Sequence, residues 1–228
     1  MKCVGALLVR NEADRYLQRA LDNAAQFCDE IVVVDDASTD ATAEICETHP
    51  KVVEVIRRNG EGWWNRLGSE SPARQLLWET AVHRAGPGGW IYLFDADHEL
   101  LGITPKEFHH LLRSEAVNAW ACVLWDAWDH ENLQRVDGYW VAWRVPRPWL
   151  LKAQPHPDFK PEWNGRTIHV GHAPPQYPMI PGLMPPDAGI RHLGYVAKAD
   201  RLRKWQRYTN LGTTTNQEPD ADGQVDSR

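Results

Sequence analysis

Short apolar runs alternate with segments of helical spacing through the first part of the chain. The residues from Lys2 to Val9 are mostly apolar, and apolar residues then recur every three or four positions from Glu12 to Phe27. A second apolar run, Asp29 to Asp36, precedes helical spacing over Ala41 to Glu47, and Val52 to Ile56 forms a third run. Strands that are apolar on both faces and joined through helices are typical of parallel sheets. We therefore predict an α/β fold with a Rossmann-like, mostly parallel central sheet flanked by helices.

The pattern resumes after a glycine-rich loop between Arg57 and Ser71. This loop carries the adjacent Trp63 and Trp64, which we interpret as a lid over a bound ligand. Beyond it, the spacing and the Pro and Gly positions predict helix Ser71 to Arg84, strand Trp90 to Phe94, helix Thr104 to Arg113 and strand Ala119 to Trp125. The remaining prediction is an irregular, Pro- and Trp-rich half over 146–186, then a short strand at Ile190 to Val196 and a basic helix at Asp200 to Tyr208.

Two acids, Asp95 and Asp97, follow directly after the buried strand that begins at Trp90. Residues i and i+2 of an extended strand point the same way, so the two carboxylates could share one hard cation such as Mg²⁺ or Mn²⁺. In a parallel sheet the strand ends carrying Arg10, Asp36 and Asp95 are neighbours along the edge where ligands bind. The alternative is a solvated strand end without a ligand.

Composition and charge narrow the class of protein. The 228 residues are 43% apolar, which is enough for one domain that we place at residues 1–215, and the polar residues 216–228 predict a flexible tail. Lys and Arg number 25 against 31 acids, so we expect no general affinity for nucleic acid. The four cysteines form no C-x-x-C pair, and no apolar run is long enough to span a membrane. These features predict a reduced, cytoplasmic protein.

Three segments together resemble the family 2 glycosyltransferases, which have the GT-A fold of nucleotide-diphospho-sugar transferases. They are VRNE from Val9, IVVVDDASTDAT from Ile31 and YLFDADHE from Tyr92, and they come in the order and spacing of that family. RHLGY from Arg191, followed by a basic helix, is similar to a segment near the C-terminal end of some soluble members. The resemblance implies a nucleotide-sugar-binding half at 1–100 and an acceptor half at 101–215.

The resemblance also implies roles for particular residues. The donor, a nucleotide-diphosphate sugar with a UDP-sugar favoured, would be bound by Val9, Arg10, Glu12, Asp36, Arg74 and Asp95. The divalent cation, Mn²⁺ or Mg²⁺, would be bound by Asp95, Asp97 and His192, and imidazole suits Mn²⁺ better than Mg²⁺. Three alternatives stay open: Asp36 with Asp35 could cap the next helix, Arg74 could lie on a solvated helix face, and His192 could be a surface residue.

The reaction implied is a single displacement with inversion, in which a cation stabilises the departing diphosphate. It requires a base for the acceptor hydroxyl, which could belong to a glycan, a protein or a modified nucleobase. The candidate bases are Asp126, Asp129, Glu131, Asp137 and Asp187. We favour Asp137, with Asp187 as the alternative, although the Asp137-Gly138 pair is also typical of a simple turn.

Two other functions compete with the transferase. A nucleotidylyltransferase uses a related sheet and metal, but it requires a Gly-rich phosphate loop after the first strand, where this chain has Arg10-Asn11-Glu12. A catalytically silent sugar- or nucleotide-binding protein of the same fold is the second alternative, since a fold does not determine a function.

Overall fold

A computed structural model of the chain describes residues 1–63, 69–136, 141–163 and 171–210, apart from the side chains of residues 207 and 208. The first half alternates strands and helices as the apolar pattern predicts. Its elements are β1 (Cys3–Val9), α1 (Leu17–Ala24), β2 (Glu30–Asp35), α2 (Thr42–Thr48), β3 (Val52–Arg57), α3 (Ser71–Ala85) and β4 (Trp90–Phe94). The proposed tail, 216–228, lies outside the described residues.

The second half is richer in strands than in helices. Its elements are β5 (His98–Leu101), α4 (Pro105–Leu111), β6 (Ala119–Trp128), β7 (His130–Gln134), a 3-10 turn (Ala142–Arg144), β8 (Arg147–Lys152), β9 (Pro181–Leu183), β10 (Gly189–Tyr195) and α5 (Lys198–Asn210). Helix α4 begins with a capping box, in which Thr104 and Glu107 each accept a hydrogen bond from the other's backbone N–H.

All ten described strands belong to one mixed sheet, in the order β3-β2-β1-β4-β8-β6-β10-β5, with β7 and β9 paired to β6. Strands β1 to β4 are mutually parallel, β8 is antiparallel to β4 and β6, and β10 is again parallel to β6. The carboxyl ends of β1, β2, β4, β6 and β10 therefore point to one edge. This mixed α/β sheet with flanking helices confirms the predicted fold class.

The core lies on both faces of the sheet. Helices α1, α2 and α4 cover one face through residues that include Leu17, Cys46 and Phe108, and α3 covers the other through Leu77 and Trp78. All four cysteines are free and buried. Within the described ranges no helix is long and apolar enough to cross a membrane, and the cytoplasmic location stays a prediction.

The first helix is shorter than its apolar spacing predicts, beginning at Leu17 rather than at Glu12. The backbone N–H groups of Asn11, Glu12 and Ala13 donate instead to Ser38 Oγ, Thr42 Oγ1 and Asp40 Oδ2, at 2.9, 2.7 and 3.2 Å. These bonds tie the segment after β1 to the segment after β2. The N–H of Arg15 donates to the carbonyl of Glu12 at 3.2 Å, an i to i+3 bond that makes these residues a turn rather than the first turn of α1.

The Pro-rich segment 146–186 is also more ordered than predicted, since it contains β8 in the middle of the sheet. Trp149, Leu150 and Leu151 are buried there between β4 and β6. The proline content hides the strand because Pro148 interrupts a run that would otherwise show strand spacing. Strand β5 was not predicted, since it is four residues long and begins directly after the two acids.

The buried side chain of Asn23 connects helix α1 to strand β5. Asn23 donates to the carbonyl of Leu100 at 3.0 Å and accepts from its N–H at 2.8 Å. We predict that Asn23→Leu lowers the free energy of unfolding, because each buried backbone group left unpaired costs about 1–3 kcal/mol. Urea unfolding measures the loss, with Gln18→Leu on the exposed face of α1 as the matched control. Equal effects of the two variants would contradict this role for Asn23.

Candidate active site

The loops after β1 and β2 place Asp36 and Arg10 side by side. The N–H of Asp36 donates to the carbonyl of Val9 at 2.9 Å, which extends the strand pairing by one residue. Its carboxylate is buried, accepts the N–H of Trp63 at 2.7 Å and lies 3.7 Å from Arg10 Nη1. Gly62 is needed here because a methyl group on it would lie 1.9 Å from Arg10 Nη1 and 2.8 Å from the carbonyl oxygen of Asp36.

The neighbouring acid, Asp35, has a different role. Its carboxylate accepts from the N–H and the hydroxyl of Ser38, which closes the turn between β2 and α2. Burial raises the pKa of Asp35, and the bonds from Ser38 partly offset that shift. Asp35 therefore closes the turn, and Asp36 contacts Arg10 and Trp63 instead.

The loop interpreted as a lid includes Trp63, whose ring packs against Arg58 with the guanidinium carbon 4.3 Å from the ring centroid. Trp64 lies outside the described residues.

The two acids that follow β4 hold different partners. Asp95 Oδ2 lies 2.9 Å from His172 Nε2, and its Oδ1 lies 3.6 Å from Arg74 Nη2. Burial alone would raise the pKa of Asp95, but His172, through its charge and its hydrogen bond, and the Arg74 guanidinium hold it well below its usual range. Arg74 is thus directed at Asp95 rather than lying on a solvated helix face.

Oδ2 of Asp97 lies within 4 Å of three basic groups. This oxygen is 3.2 Å from His192 Nε2, 3.4 Å from Lys204 Nζ and 3.6 Å from Arg15 Nη2. Burial opposes ionisation of this carboxyl as well, yet His192 and Lys204 keep the pKa of Asp97 well below its usual value. Both acids are therefore carboxylates at neutral pH, and both are available to a cation.

His98 lies between the two carboxylates as a neutral imidazole. Burial lowers its pKa to about 4, against the opposing effect of Asp95 and Asp97. The N–H of Asp95 donates to His98 Nδ1 at 3.2 Å, so the ring proton is on Nε2, which lies 3.9 Å from an oxygen of each acid. With a proton on that nitrogen, His98 is a donor toward the acids rather than a metal ligand.

His192 has the opposite arrangement. Its Nδ1 lies 2.5 Å from Asp126 Oδ1, which places the proton of the neutral ring on Nδ1. Nε2, 3.2 Å from Asp97 Oδ2, is then the nitrogen that a cation could take once the ring has lost its second proton. Burial and Lys204 lower the pKa of His192, but Asp97 and Asp126 outweigh them and the net shift is upward. His192 is therefore part of the cluster rather than a free surface residue.

The donor atoms of this cluster fit a divalent cation. Asp97, His98 and His192 bring potential ligand atoms within 4.8 Å of one another, and so do Asp95, His98 and His172. Carboxylate oxygen with imidazole nitrogen suits Mn²⁺. Because His98 presents a proton, the better pair of ligands is Asp97 with His192, supported by Asp126 as a carboxylate-histidine pair supports a metal.

Three arginines around the acids each have a buried nitrogen without a hydrogen-bond partner among the described residues: Arg10 Nη1, Arg15 Nη2 and Arg74 Nε. Buried hydrogen-bond donors in native proteins nearly always have an acceptor. Arg15 and Arg74 contact Asp97 and Asp95, while Arg10 lies beside Asp36. These nitrogens indicate a site for an anionic group, since guanidinium groups bind phosphate strongly.

The structure brings most of the predicted residues together. Val9, Arg10, Asp36, Arg74, Asp95, Asp97 and His192 all lie at the carboxyl edge of the sheet. Glu12 is paired with Arg15 at 2.6 Å, and burial raises its pKa to about 7.

The candidate bases are more scattered. Asp126, Asp129 and Glu131 are paired with His192, Arg201 and Arg19, respectively. Asp187 is exposed and precedes β10, beside Gly102 at the end of β5 away from Asp97, so the structure does not bring it to the cluster. Asp137 lies outside the described residues.

Sequence reasoning missed His98, His172, Lys204 and Arg15. His98 directly follows the acid pair, so its position was a usable signal. The basic helix that carries Lys204 was predicted without assigning this residue to the site. His172 lies in a Pro-rich segment without periodicity, and only the folded chain brings it to Asp95.

The fold and the cluster define an α/β protein with a candidate nucleotide and metal site at the carboxyl edge of its sheet. Residues 7–104 match the model of Glycosyl transferase family 2. The match covers all three segments that carry the resemblance and agrees with it. The described site residues from Asp126 onward lie beyond the match.

Full-length relatives are less informative. An uncharacterized protein of Mycobacterium tuberculosis is 29% identical over 225 residues, which is 90% of this chain and 50% of the relative. An uncharacterized glycosyltransferase of Rickettsia bellii is 29% identical over 109 residues, 48% of this chain and 32% of the relative. The chain thus spans half or less of the length of these curated relatives.

Among solved structures, S. aureus TarS 1-349 has a TM-score of 0.45 and 21% identity, over 61% of this chain and 39% of TarS. Glucosyl-3-phosphoglycerate synthase of Mycobacterium tuberculosis, in complex with Mn²⁺, uridine-diphosphate and glucosyl-3-phosphoglycerate, has a TM-score of 0.35 and 17% identity, over 55% and 44%.

The shifted pKa values of His98 and Glu12 predict opposite pH dependences of stability in the cation-free protein. His98 has a folded pKa of about 4, below its ordinary value, so its contribution is present above pH 6.5 and is lost as the pH falls through 4. Glu12 has a folded pKa of about 7, so its contribution is present below pH 4.5 and is lost as the pH rises through 7.

We therefore expect the free energy of unfolding of the parent, relative to His98→Gln, to fall on acidification from about pH 7.5 to 4.5. Relative to Glu12→Gln, it should rise over the same range. Urea unfolding in the presence of a chelator measures both differences. If the free energies of unfolding of the variants and the parent differed by a constant amount across this pH range, the assigned pKa shifts of His98 and Glu12 would be wrong.

Proposed function

We propose that the chain is a metal-dependent, inverting glycosyltransferase that moves a sugar from a nucleotide-diphosphate sugar to an acceptor hydroxyl. One observation carries the proposal. His192 Nε2 and Asp97 Oδ2 converge 3.2 Å apart at the carboxyl edge of the sheet, in a chain whose residues 7–104 match a glycosyltransferase family. The buried guanidinium nitrogens beside them provide donors for a diphosphate.

In this proposal Asp97 and His192 hold the cation, Mn²⁺ or Mg²⁺, with Asp95 beside it. The bound cation would neutralise charge that develops on the departing nucleoside diphosphate. Asp126 fixes the orientation of the His192 ring, and the Nε2–H of His98 faces both acids at 3.9 Å from an oxygen of each. Arg15 and Arg74 would complement the charge of the diphosphate, since each guanidinium lies 3.6 Å from one of the acids and has a buried nitrogen without a hydrogen-bond partner.

The nucleotide would bind across the ends of β1 and β2. Asp36 is buried with one oxygen 3.7 Å from Arg10, and a carboxylate there can accept from a base N–H or a ribose hydroxyl. Val9, Glu12 and Asp95 complete the donor side. We favour a UDP-sugar, and Trp63 lies close because its N–H is bonded to Asp36.

Residues 1–215 would form one domain, with the donor half at 1–100 and the acceptor half at 101–215. The acceptor supplies a hydroxyl and belongs to a glycan, a protein or a modified nucleobase. Asp137 stays our proposed base and Asp187 the alternative, which would require an approach from outside the described cluster. Removal of the hydroxyl proton in one displacement gives inversion at the anomeric carbon.

The segment after β1 disfavours the nucleotidylyltransferase. Such an enzyme needs free backbone N–H groups there to hold phosphates. In this chain the N–H groups of Asn11, Glu12 and Ala13 are already bonded to side chains after β2. A silent binding protein is the remaining alternative, and only turnover distinguishes it from the transferase.

We predict that Asp97→Asn abolishes Mn²⁺-dependent release of nucleoside diphosphate from a panel of nucleotide sugars without acceptor. The change is nearly isosteric and removes a ligand charge, so affinity for Mn²⁺ should fall by at least about 100-fold while the fold is retained. Product release measures turnover, and a thermal shift with UDP and Mn²⁺ measures binding.

The matched control is Asp158→Asn, an exposed acid outside the site. Parent-like, Mn²⁺-dependent turnover by Asp97→Asn would overturn the metal assignment. Binding of UDP and Mn²⁺ by the parent, with no diphosphate release from any nucleotide sugar, would favour the silent binding protein.

A further inference from the structure

The ammonium group of Lys204 lies where the proposed cation would bind. Its Nζ is 2.9 Å from His192 Nε2 and 3.4 Å from Asp97 Oδ2, the two atoms best suited to hold a metal. Those two atoms are only 3.2 Å apart, so a cation bound to both would be in contact with Nζ or would replace it.

Gly194 leaves the space that the Lys204 ammonium group occupies. A methyl group on Gly194 would lie 2.2 Å from Lys204 Nζ, 2.3 Å from Asp97 Oδ2 and 2.7 Å from His192 Nε2. Only a residue without a side chain at position 194 leaves room for the three groups to meet. The ring of Tyr195 adds a further contact, with its centroid 4.2 Å from Nζ.

Arg15 and Lys204 both neutralise Asp97, but they are held differently. Arg15 is fixed by Glu12 at 2.6 Å and by Asp200 at 3.0 Å, so it has strong partners besides Asp97. In the described part of the chain, Asp97 is the one carboxylate paired with Lys204, through a flexible stem whose side chain is one-fifth exposed. Of these two basic side chains, Lys204 is therefore the one that can move away from Asp97.

We propose that Lys204 is an internal counter-ion that occupies the cation position until a divalent cation binds and then moves to the donor diphosphate. The inference rests on the proposed function and deepens it. A divalent cation that binds alone must displace the Lys204 ammonium group from Asp97 and His192. The displaced positive charge stays nearby and repels the cation, which weakens its binding. A cation that arrives with a nucleoside diphosphate supplies the displaced ammonium with phosphate oxygens.

Two consequences can be measured without turnover. The divalent cation and the nucleoside diphosphate should bind with positive coupling. The cation releases Lys204 to bind the diphosphate, and the diphosphate stabilises the displaced ammonium group. Each ligand must raise the affinity for the other by the same factor. The coupling depends on the charge at position 204. A residue that merely packs against Tyr195 would not change it.

The test is a titration of Mn²⁺ into the full chain, with free Mn²⁺ followed by electron paramagnetic resonance, in the absence and presence of UDP. Lys204→Met should bind Mn²⁺ alone on the order of tenfold more tightly than the parent, because one competing charge is removed. Coupling between Mn²⁺ and UDP, typically about 5- to 150-fold, should be several-fold smaller in this variant.

Two further variants keep the inference falsifiable. Lys204→Arg retains a positive charge and should keep most of the coupling, while Lys106→Met removes a charge from the exposed surface of α4 and should match the parent. Thermal melting shows that each variant is folded.

The outcomes separate this inference from the proposed function. Mn²⁺ binding that Asp97→Asn loses but Lys204→Met leaves unchanged, with or without UDP, would overturn the role of Lys204 alone. Weaker binding of Mn²⁺ alone by Lys204→Met would do the same. A parent that binds no Mn²⁺ even with UDP would overturn both proposals.

Discussion

The negative charge that Asp95 and Asp97 bring to the sheet edge is the constraint on which the site depends. Strand β4 is buried throughout and these two acids follow it directly, with Asp97 buried and Asp95 partly exposed. Buried carboxylates require paired charges and hydrogen bonds to stay ionised. Each part of the chain that reaches this edge supplies one: Arg15 follows β1, Arg74 lies in α3, His192 is in β10 and Lys204 is in α5.

This arrangement explains why the second half of the chain is needed at the site. Strands β8 and β6 continue the sheet from β4, which allows β10 to run parallel to β6 and to place His192 beside Asp126. The pairing of β10 with β5 then aligns His192 with His98, next to the acids. The long connection from 146 to 188 is thus what returns a histidine to residues that precede it by 95 positions.

The sequence allowed the parallel half and the acids to be predicted because apolar runs that end abruptly in charge are local signals. Asp95 and Asp97 needed no distant information, and His192 was found only through the RHLGY segment. The start of α1 was predicted wrongly, because the residues before Leu17 form a turn in which the N–H of Arg15 bonds to the carbonyl of Glu12, and apolar spacing does not reveal it. His172 and Lys204 could not be assigned, since their partners are fixed by long-range packing rather than by spacing.

The central claim, that His192 rather than His98 or His172 binds the cation, is tested most directly by pulsed electron paramagnetic resonance of Mn²⁺ bound together with UDP. The account predicts a nitrogen coupling from one directly bound imidazole, lost in His192→Gln and retained in His98→Gln and His172→Gln. A coupling that survives in His192→Gln, or that disappears in either of the other two variants, would contradict it.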